Sequence, residues 1–188
     1  MAETTQQLLD AAETRLRRGG FHRVSFRDLA ADLGIKSASV HYHFPRKEDL
    51  GAALVERYSD RFFEVLERRV EAGEPRLPAY IANHRESLIS TDRICLGVIL
   101  AAESAGLPAP VRAQVVEFLE RNVSWLEKMF SDGEVERPRA QALHTLAALQ
   151  GAMLLAVNLG GLQAFDAVAS DVVLATRVRM RREPSLTA

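Results

Sequence analysis

From residue 4 to residue 71 the apolar positions recur at helical spacing in four successive blocks, each bounded by residues that stop a helix. Leu9, Ala12 and Leu16 stand at i, i+3 and i+7 with Leu8 beside them, which predicts a helix over 4–18 closed by Gly19-Gly20. Phe26, Leu29, Ala30 and Leu33 form the next apolar face. Ser25 is placed to cap it and Gly34 to end it in a left-handed conformation. Val40 and Phe44 anchor a third, shorter helix, with Ser37 as its candidate cap and Pro45 as its stop. Leu50, Leu54, Tyr58, Phe62 and Leu66 then recur every fourth residue, widened by Val55 and Val65. They predict one long helix from Lys47 to about Glu71, broken by G-E-P-R-L-P at 73–78. Phe21 and Val24 are expected to pack beneath the short pair.

The remainder reads as helices over about 79–90, 92–104, 109–131, 136–158 and 163–182, with breakers at 106–108, 132–133 with Pro138, and 160–161. Strand-like alternation and repeats do not appear, so the fold class is all-α. Residues 142–157 are apolar nearly all round, and 165–175 half so. Ala142, Ala147, Ala148, Gly151, Ala152 and Ala169 permit close helix approach. A helix apolar on every side must be covered on every side, and 188 residues struggle to do this alone. A partner surface is expected here, an ordinary buried helix in a monomer being the competing reading. The run R-V-R-M-R-R at 177–182 suits the negative end of a helix dipole, and a nucleic-acid tail competes with that reading.

Residues 25–50 organise the chain. Helix, glycine turn, helix is the helix-turn-helix arrangement, whose second helix can enter the DNA major groove. That second helix carries Ser37, Ser39, His41, Tyr42 and His43, a polar surface suited to base edges and phosphates rather than to a core. The net charge is only −1, but its distribution matters. Residues 1–47 carry eight Lys/Arg against five Asp/Glu, a net of +3, while residues 48–188 are net −4. The basic footprint therefore coincides with the motif. Arg15, Arg17 and Arg18 also suit the end of their own helix.

In A-A-D-L-G-I (30–35), the following S-x-S-V, Y-H-F-P-R-K-E-D-L (42–50) and the preceding G-x-x-x-V-S-F, the chain resembles the TetR family of transcriptional regulators. One departure is visible: the family usually carries Tyr three residues before the Phe, where this chain has His41, with a tyrosine at Tyr42. The resemblance implies a DNA-binding domain over 1–47 and an effector-binding and dimerisation domain over 48–188. It implies base or phosphate contacts from Ser37, Ala38, Ser39, His41, Tyr42 and His43, with Arg27 and Lys47 on the DNA backbone. It extends through Q-G-A-M-L-L-A and implies a homodimer through a four-helix interface in 136–182. The partners expected are double-stranded operator DNA, a second copy and a small-molecule effector. Effector-lining candidates are Phe62, His84, Leu88, Cys95, Leu100, Phe118, Trp125 and His144.

A single cysteine excludes an intrachain disulfide framework and suits a reducing compartment. The polar opening M-A-E-T-T-Q-Q lacks a signal sequence, and apolar runs such as 94–102 are too short to span a bilayer, so a soluble cytoplasmic protein is expected. His41 and His43, two apart on a helix, face different ways and cannot chelate together. Metal-binding, nucleophile-elbow and phosphate-loop motifs do not appear, and neither catalytic residues nor a metal or cofactor is expected. Thr91 or Asp92 could cap a helix and set Cys95 in its first turn beside Arg93, an arrangement that favours a thiolate. The stretch C-L-G-V-I-L-A-A-E also looks like the segment carrying the sensing cysteine in TetR-family repressors of reactive electrophiles. The competing reading is a small buried hydrophobe. The expected function is a dimeric repressor released from its operator by a small-molecule effector, an electrophile being one candidate class. A DNA-binding or scaffolding protein without an effector pocket, or a helical enzyme, is the alternative.

Overall fold

The computed structural model describes residues 2–91 and 95–181. Among these residues the secondary structure is helical throughout. The helices are α1 (Ala2–Gly19), α2 (Phe26–Leu33), α3 (Ser37–His43), α4 (Lys47–Glu71), α5 (Arg76–Thr91), α6 (Leu96–Ala102), α7 (Ala109–Asp132), α8 (Pro138–Leu159) and α9 (Gln163–Arg181). Short 3-10 turns at Phe21–Arg23 and Ser104–Gly106 complete the set. The all-α expectation holds, and the helix from Lys47 to Glu71 appears as read from its four-residue period.

The chain groups into two compact units. The first takes in residues 1–61 and 96–118; the second, residues 62–95 and 119–188. In the first unit α1 packs on α2, α2 on α3, and α6 against α1. Leu8, Ala12, Leu16, Leu29, Val40, Leu50 and Leu54 are its buried centre, and Phe21 and Val24 are buried with them as expected. Gly97 leaves room for the Phe118 ring, which meets Tyr58 edge-on at 5.5 Å. In the second unit α8 and α9 pair along their lengths, and both touch α5. Leu66, Tyr80, Leu126, Phe130, Leu149, Met153 and Phe165 form its core.

Three expectations change. Ser37 does not cap α3: the capping position is Lys36, extended and without a side-chain bond, and Ser37 is already helical. The helix expected over 92–104 is only Leu96–Ala102, while α5 runs to Thr91. A continuous apolar run carries no polar beat to mark where a helix begins, so its start was not readable. The third change concerns α8, which at 22 residues is long and apolar enough, by length and composition alone, to cross a membrane. Its buried positions, among them Ala142, Leu146, Leu149 and Ala156, give it a role inside the second unit. The apolar run that the sequence pointed to, 94–102, is the shorter one. Arg182 at the end of the basic run, together with Asp92 and Arg93, lies outside the described residues.

Candidate nucleic-acid interface

The helix-turn-helix is fixed by local bonds at both ends of α2. Ser25 Oγ accepts from the Asp28 N–H at 3.1 Å, as its position in the sequence required. Gly34 takes φ 63 and ψ 29, the left-handed cap, and the Ile35 N–H returns to the Ala30 carbonyl at 3.0 Å. Both were legible in the sequence. Only Val40 of α3 is buried, with Phe44 just beyond it. Ser37, Ala38, His41 and Tyr42 are exposed, and Ser39 and His43 are half-buried. Tyr42 is 72% exposed, an unusual place for an aromatic ring unless something docks on it.

The rings along α3 are oriented by neighbours. His41 packs edge-on to Phe26 at 4.8 Å. Tyr42 stands edge-on to His43, with centroids 5.3 Å apart and planes at 85°. His43 Nδ1 lies 3.1 Å from Thr5 Oγ1, at the start of α1. Thr5 gave no signal in the sequence, because its partner is 38 residues away.

The basic residues divide into two groups. Arg15 is bound to Asp32 at 2.5 Å, Arg17 to Glu13 at 2.9 Å, and Arg46 to Glu48 and Asp49 at 2.6 and 2.7 Å. Arg18, Arg23, Arg27 and Lys36 are exposed. Lys47 is half-buried; its ammonium sits 4.5 Å from the Phe21 ring centroid and donates to the His22 carbonyl at 3.4 Å. Burial lowers its pKa, and the charge of Glu103 works against that shift. Glu103, just beyond α6, also accepts the Phe21 N–H at 2.9 Å and lies over Gly20, where a Cβ would overlap its carboxylate. No sequence pattern linked Glu103 to Gly20, since the pairing exists only through the fold.

The effector candidates separate. In the second unit Phe62, His84 and Trp125 surround Tyr80: Trp125 stacks on it at 5.5 Å, His84 lies 4.5 Å away, and Phe62 is edge-on at 6.1 Å. The cluster is hydrogen-bonded, Tyr80 donating to Asn122 at 2.6 Å, Asn83 to the Phe62 carbonyl at 3.2 Å and Trp125 to Glu67 at 2.7 Å. Tyr80, Asn83 and Asn122 were not singled out from the sequence, where a single polar residue in a helix looks like surface. Burial holds His84 neutral, lowering its pKa to about 4 against a partial counter-effect from the Tyr80 carbonyl. Leu100 and Phe118 are buried in the first unit. Leu88 lines a groove of about 500 Å³ with Ile89, Val157 and Leu162.

His144 stands apart from these. It is exposed on α8, whereas Ala142, Thr145 and Leu146 on either side are buried. A helix apolar nearly all round gives no facing in its sequence, so which side turns inward could not be read from it. Cys95 is a correction in its setting. It precedes α6 rather than occupying a first helical turn, and at 1% exposure it has no open path to solvent. Thr91 ends α5. Among the described residues no group of three His, Cys, Asp or Glu side chains is arranged to hold a metal ion.

Comparison with known proteins agrees with this geometry. Residues 8–54 match the family model for bacterial regulatory proteins of the tetR family. No curated protein sequence matches the chain significantly. The structure is similar to a TetR transcriptional regulator from Legionella pneumophila, with a TM-score of 0.84 and 26% identity over 92% of this chain and 96% of that one. A TetR-family regulator from Agrobacterium tumefaciens is similar with a TM-score of 0.83 and 27% identity over 98% and 99% of the two chains. A transcriptional regulator from Saccharomonospora viridis, solved in complex with choline, shares the fold at a TM-score of 0.77 and 19% identity over 94% and 97%. Residues 8–54 thus carry the helix-turn-helix of bacterial regulatory proteins of the tetR family, and the helical body behind it is similar over its full length to TetR transcriptional regulators.

Proposed function

We propose that the chain is a dimeric, sequence-specific repressor that leaves its operator when a small molecule binds. The observation that carries the reading is α3 itself: a helix anchored by Val40 alone, presenting serines, histidines and a 72%-exposed tyrosine on a capped helix-turn-helix. In this reading residues 1–47 bind DNA and residues 48–188 bind the effector and dimerise. Ser37, Ala38, Ser39, His41, Tyr42 and His43 face the major groove or its phosphates, and Arg27 and Lys47 contact the backbone. Lys47 must exchange the His22 carbonyl for a phosphate when it does so.

Dimerisation is supported by what α8 and α9 leave uncovered. Leu143, Leu154, Leu155, Val157 and Leu159 on α8 and Leu174 and Val178 on α9 are exposed at 41–73%. Gly151 stands in open space among them. So many exposed apolar side chains on one helix pair mark an interface, and a twofold copy would cover them while supplying the second reading helix that an operator of two half-sites requires. The effector region is the Phe62, His84 and Trp125 cluster around Tyr80, with Leu88 and Cys95 in the same unit. The choline complex of a protein of the same fold supports a small-molecule ligand in general terms only. The buried Cys95 favours a reversibly bound effector over an electrophile that alkylates a thiolate.

The test is titration of a duplex against the purified chain, then titration of candidate effectors against the complex. Specific binding should exceed non-specific binding by about a thousandfold or more at physiological salt. Lys47→Ala should weaken binding to all sequences and flatten the salt slope. Failure of any small molecule to release a soundly bound duplex would remove the effector half of the reading and leave a constitutive DNA-binding protein.

A further inference from the structure

The reading helix is short and lightly held, yet one of its rings is tied to a distant part of the chain. α3 spans seven residues, its first turn lacks a side-chain cap, and its apolar hold is Val40 with Phe44 immediately after. The Tyr42 ring, 72% exposed, is not held by burial. It meets the His43 ring edge-on at 5.3 Å, and His43 Nδ1 is 3.1 Å from Thr5 Oγ1 in the first turns of α1. With Nδ1 engaged by Thr5, the His43 ring is fixed about its own axis and Nε2 is the nitrogen left for another partner.

We infer that Thr5 is a positioning residue for sequence reading: its hydroxyl sets the His43 ring, and the His43 ring sets the direction in which Tyr42 projects. The inference rests on the proposal that α3 binds DNA, and adds a determinant outside the helix-turn-helix. Side chains that reach base edges must be held close to their productive geometry, and an unrestrained exposed ring loses rotamer freedom when it docks. A hydroxyl that orders the pair beforehand lowers that loss for the operator. It offers little to non-specific DNA, where no base edge is read and the phosphate contacts dominate. Thr5 is therefore expected to affect the specific complex more than the non-specific one.

The experiment uses the full chain and a duplex selected for it. Thr5→Val keeps the branched shape and removes the hydroxyl; Thr5→Ser keeps the hydroxyl. Thr5→Val should bind the operator about fivefold more weakly, the scale of one lost hydrogen bond. Its affinity for random duplex and its Tm should be those of the parent, and a repeat selection should show relaxed preference at the base pairs nearest Tyr42 and His43. Thr5→Ser should restore the operator affinity. In a His43→Ala background Thr5→Val should do nothing further, because the hydroxyl acts through that ring. Three results would overturn the inference: operator affinity unchanged by Thr5→Val, equal loss on operator and random duplex, or the same loss without His43. A parent chain with no sequence preference would overturn the repressor reading and this inference together, whereas a selective parent and an equally selective Thr5→Val overturn the inference alone.

Discussion

Gly20→Ala should destabilise the first unit by more than its backbone geometry alone explains, and Glu103 should account for the excess. Gly20 has φ 77 and ψ 178, a region that is essentially glycine-only, so a side chain there costs about 1–3 kcal/mol. The added Cβ would also overlap the Glu103 carboxylate. That carboxylate ends a flexible side chain and can swing away, but in doing so it gives up the Phe21 N–H it accepts at 2.9 Å. A hydrogen bond to a charged group contributes about 1.5–3 kcal/mol, so the whole substitution should cost about 2.5–6 kcal/mol. Glu103→Ala loses the same bond and leaves Gly20 unstrained, at a cost of about 1.5–3 kcal/mol. In the double variant the bond can be lost only once. Its cost should fall short of the sum of the singles by about 2 kcal/mol, well beyond the scatter of independent sites. Urea unfolding at matched slopes measures the three variants, with a Tm change of about 2–4 °C per kcal/mol as a cross-check. Strict additivity would mean that Glu103 does not close over Gly20, and the reasoning would fail.

Other expectations can be checked in parallel. His84, lowered to about 4 by burial, sits below its unfolded value near 6.5. The unfolded chain therefore binds the proton first, and stability should be complete above about pH 6.5 and fall by about 3 kcal/mol on acidification to pH 4. His84→Gln should flatten that stretch of the stability–pH curve. Glu13 behaves differently: burial works to raise its pKa, but the charges of Arg61 and Arg17 and their hydrogen bonds outweigh it and hold it below the ordinary carboxylate value. Its contribution should be intact above that ordinary value and vanish as the pH falls through its own lower pKa, and Glu13→Gln should cost about 2 kcal/mol at neutral pH. Leu155→Arg, on the exposed face of α8, should yield a folded monomer by sedimentation with operator affinity sharply reduced; an unchanged dimer would place the interface elsewhere.

The legible and illegible parts of the chain divide along a physical line. Local chemistry was readable: the Ser25 cap, the left-handed Gly34, and the four-residue period from Leu50 to Leu66 each state their structure within a few residues. The α3 surface was readable too, because a two-turn helix with one apolar anchor can bury only one side. What was not readable depends on pairings far apart in the chain. Thr5 with His43, Gly20 with Glu103, and Tyr80 with Asn122 leave no trace in spacing. The facing of His144 and the position of Cys95 ahead of its helix were hidden for a related reason. Both residues lie in runs so apolar that periodicity cannot say which side faces in or where the helix starts, and the environment of a single polar or thiol group there is decided by the fold.

The most direct test of the central claim is selection of random double-stranded DNA by the purified chain, followed by sequencing of the bound pool. The account predicts an enriched inverted repeat whose half-sites are centred about one helical turn, or 34–36 Å, apart, with enrichment lost or shifted in Tyr42→Ala and Ser39→Ala. A bound pool that matches the input, at a salt concentration where the chain is folded, would contradict it. The exposed face of α3 would then need another partner.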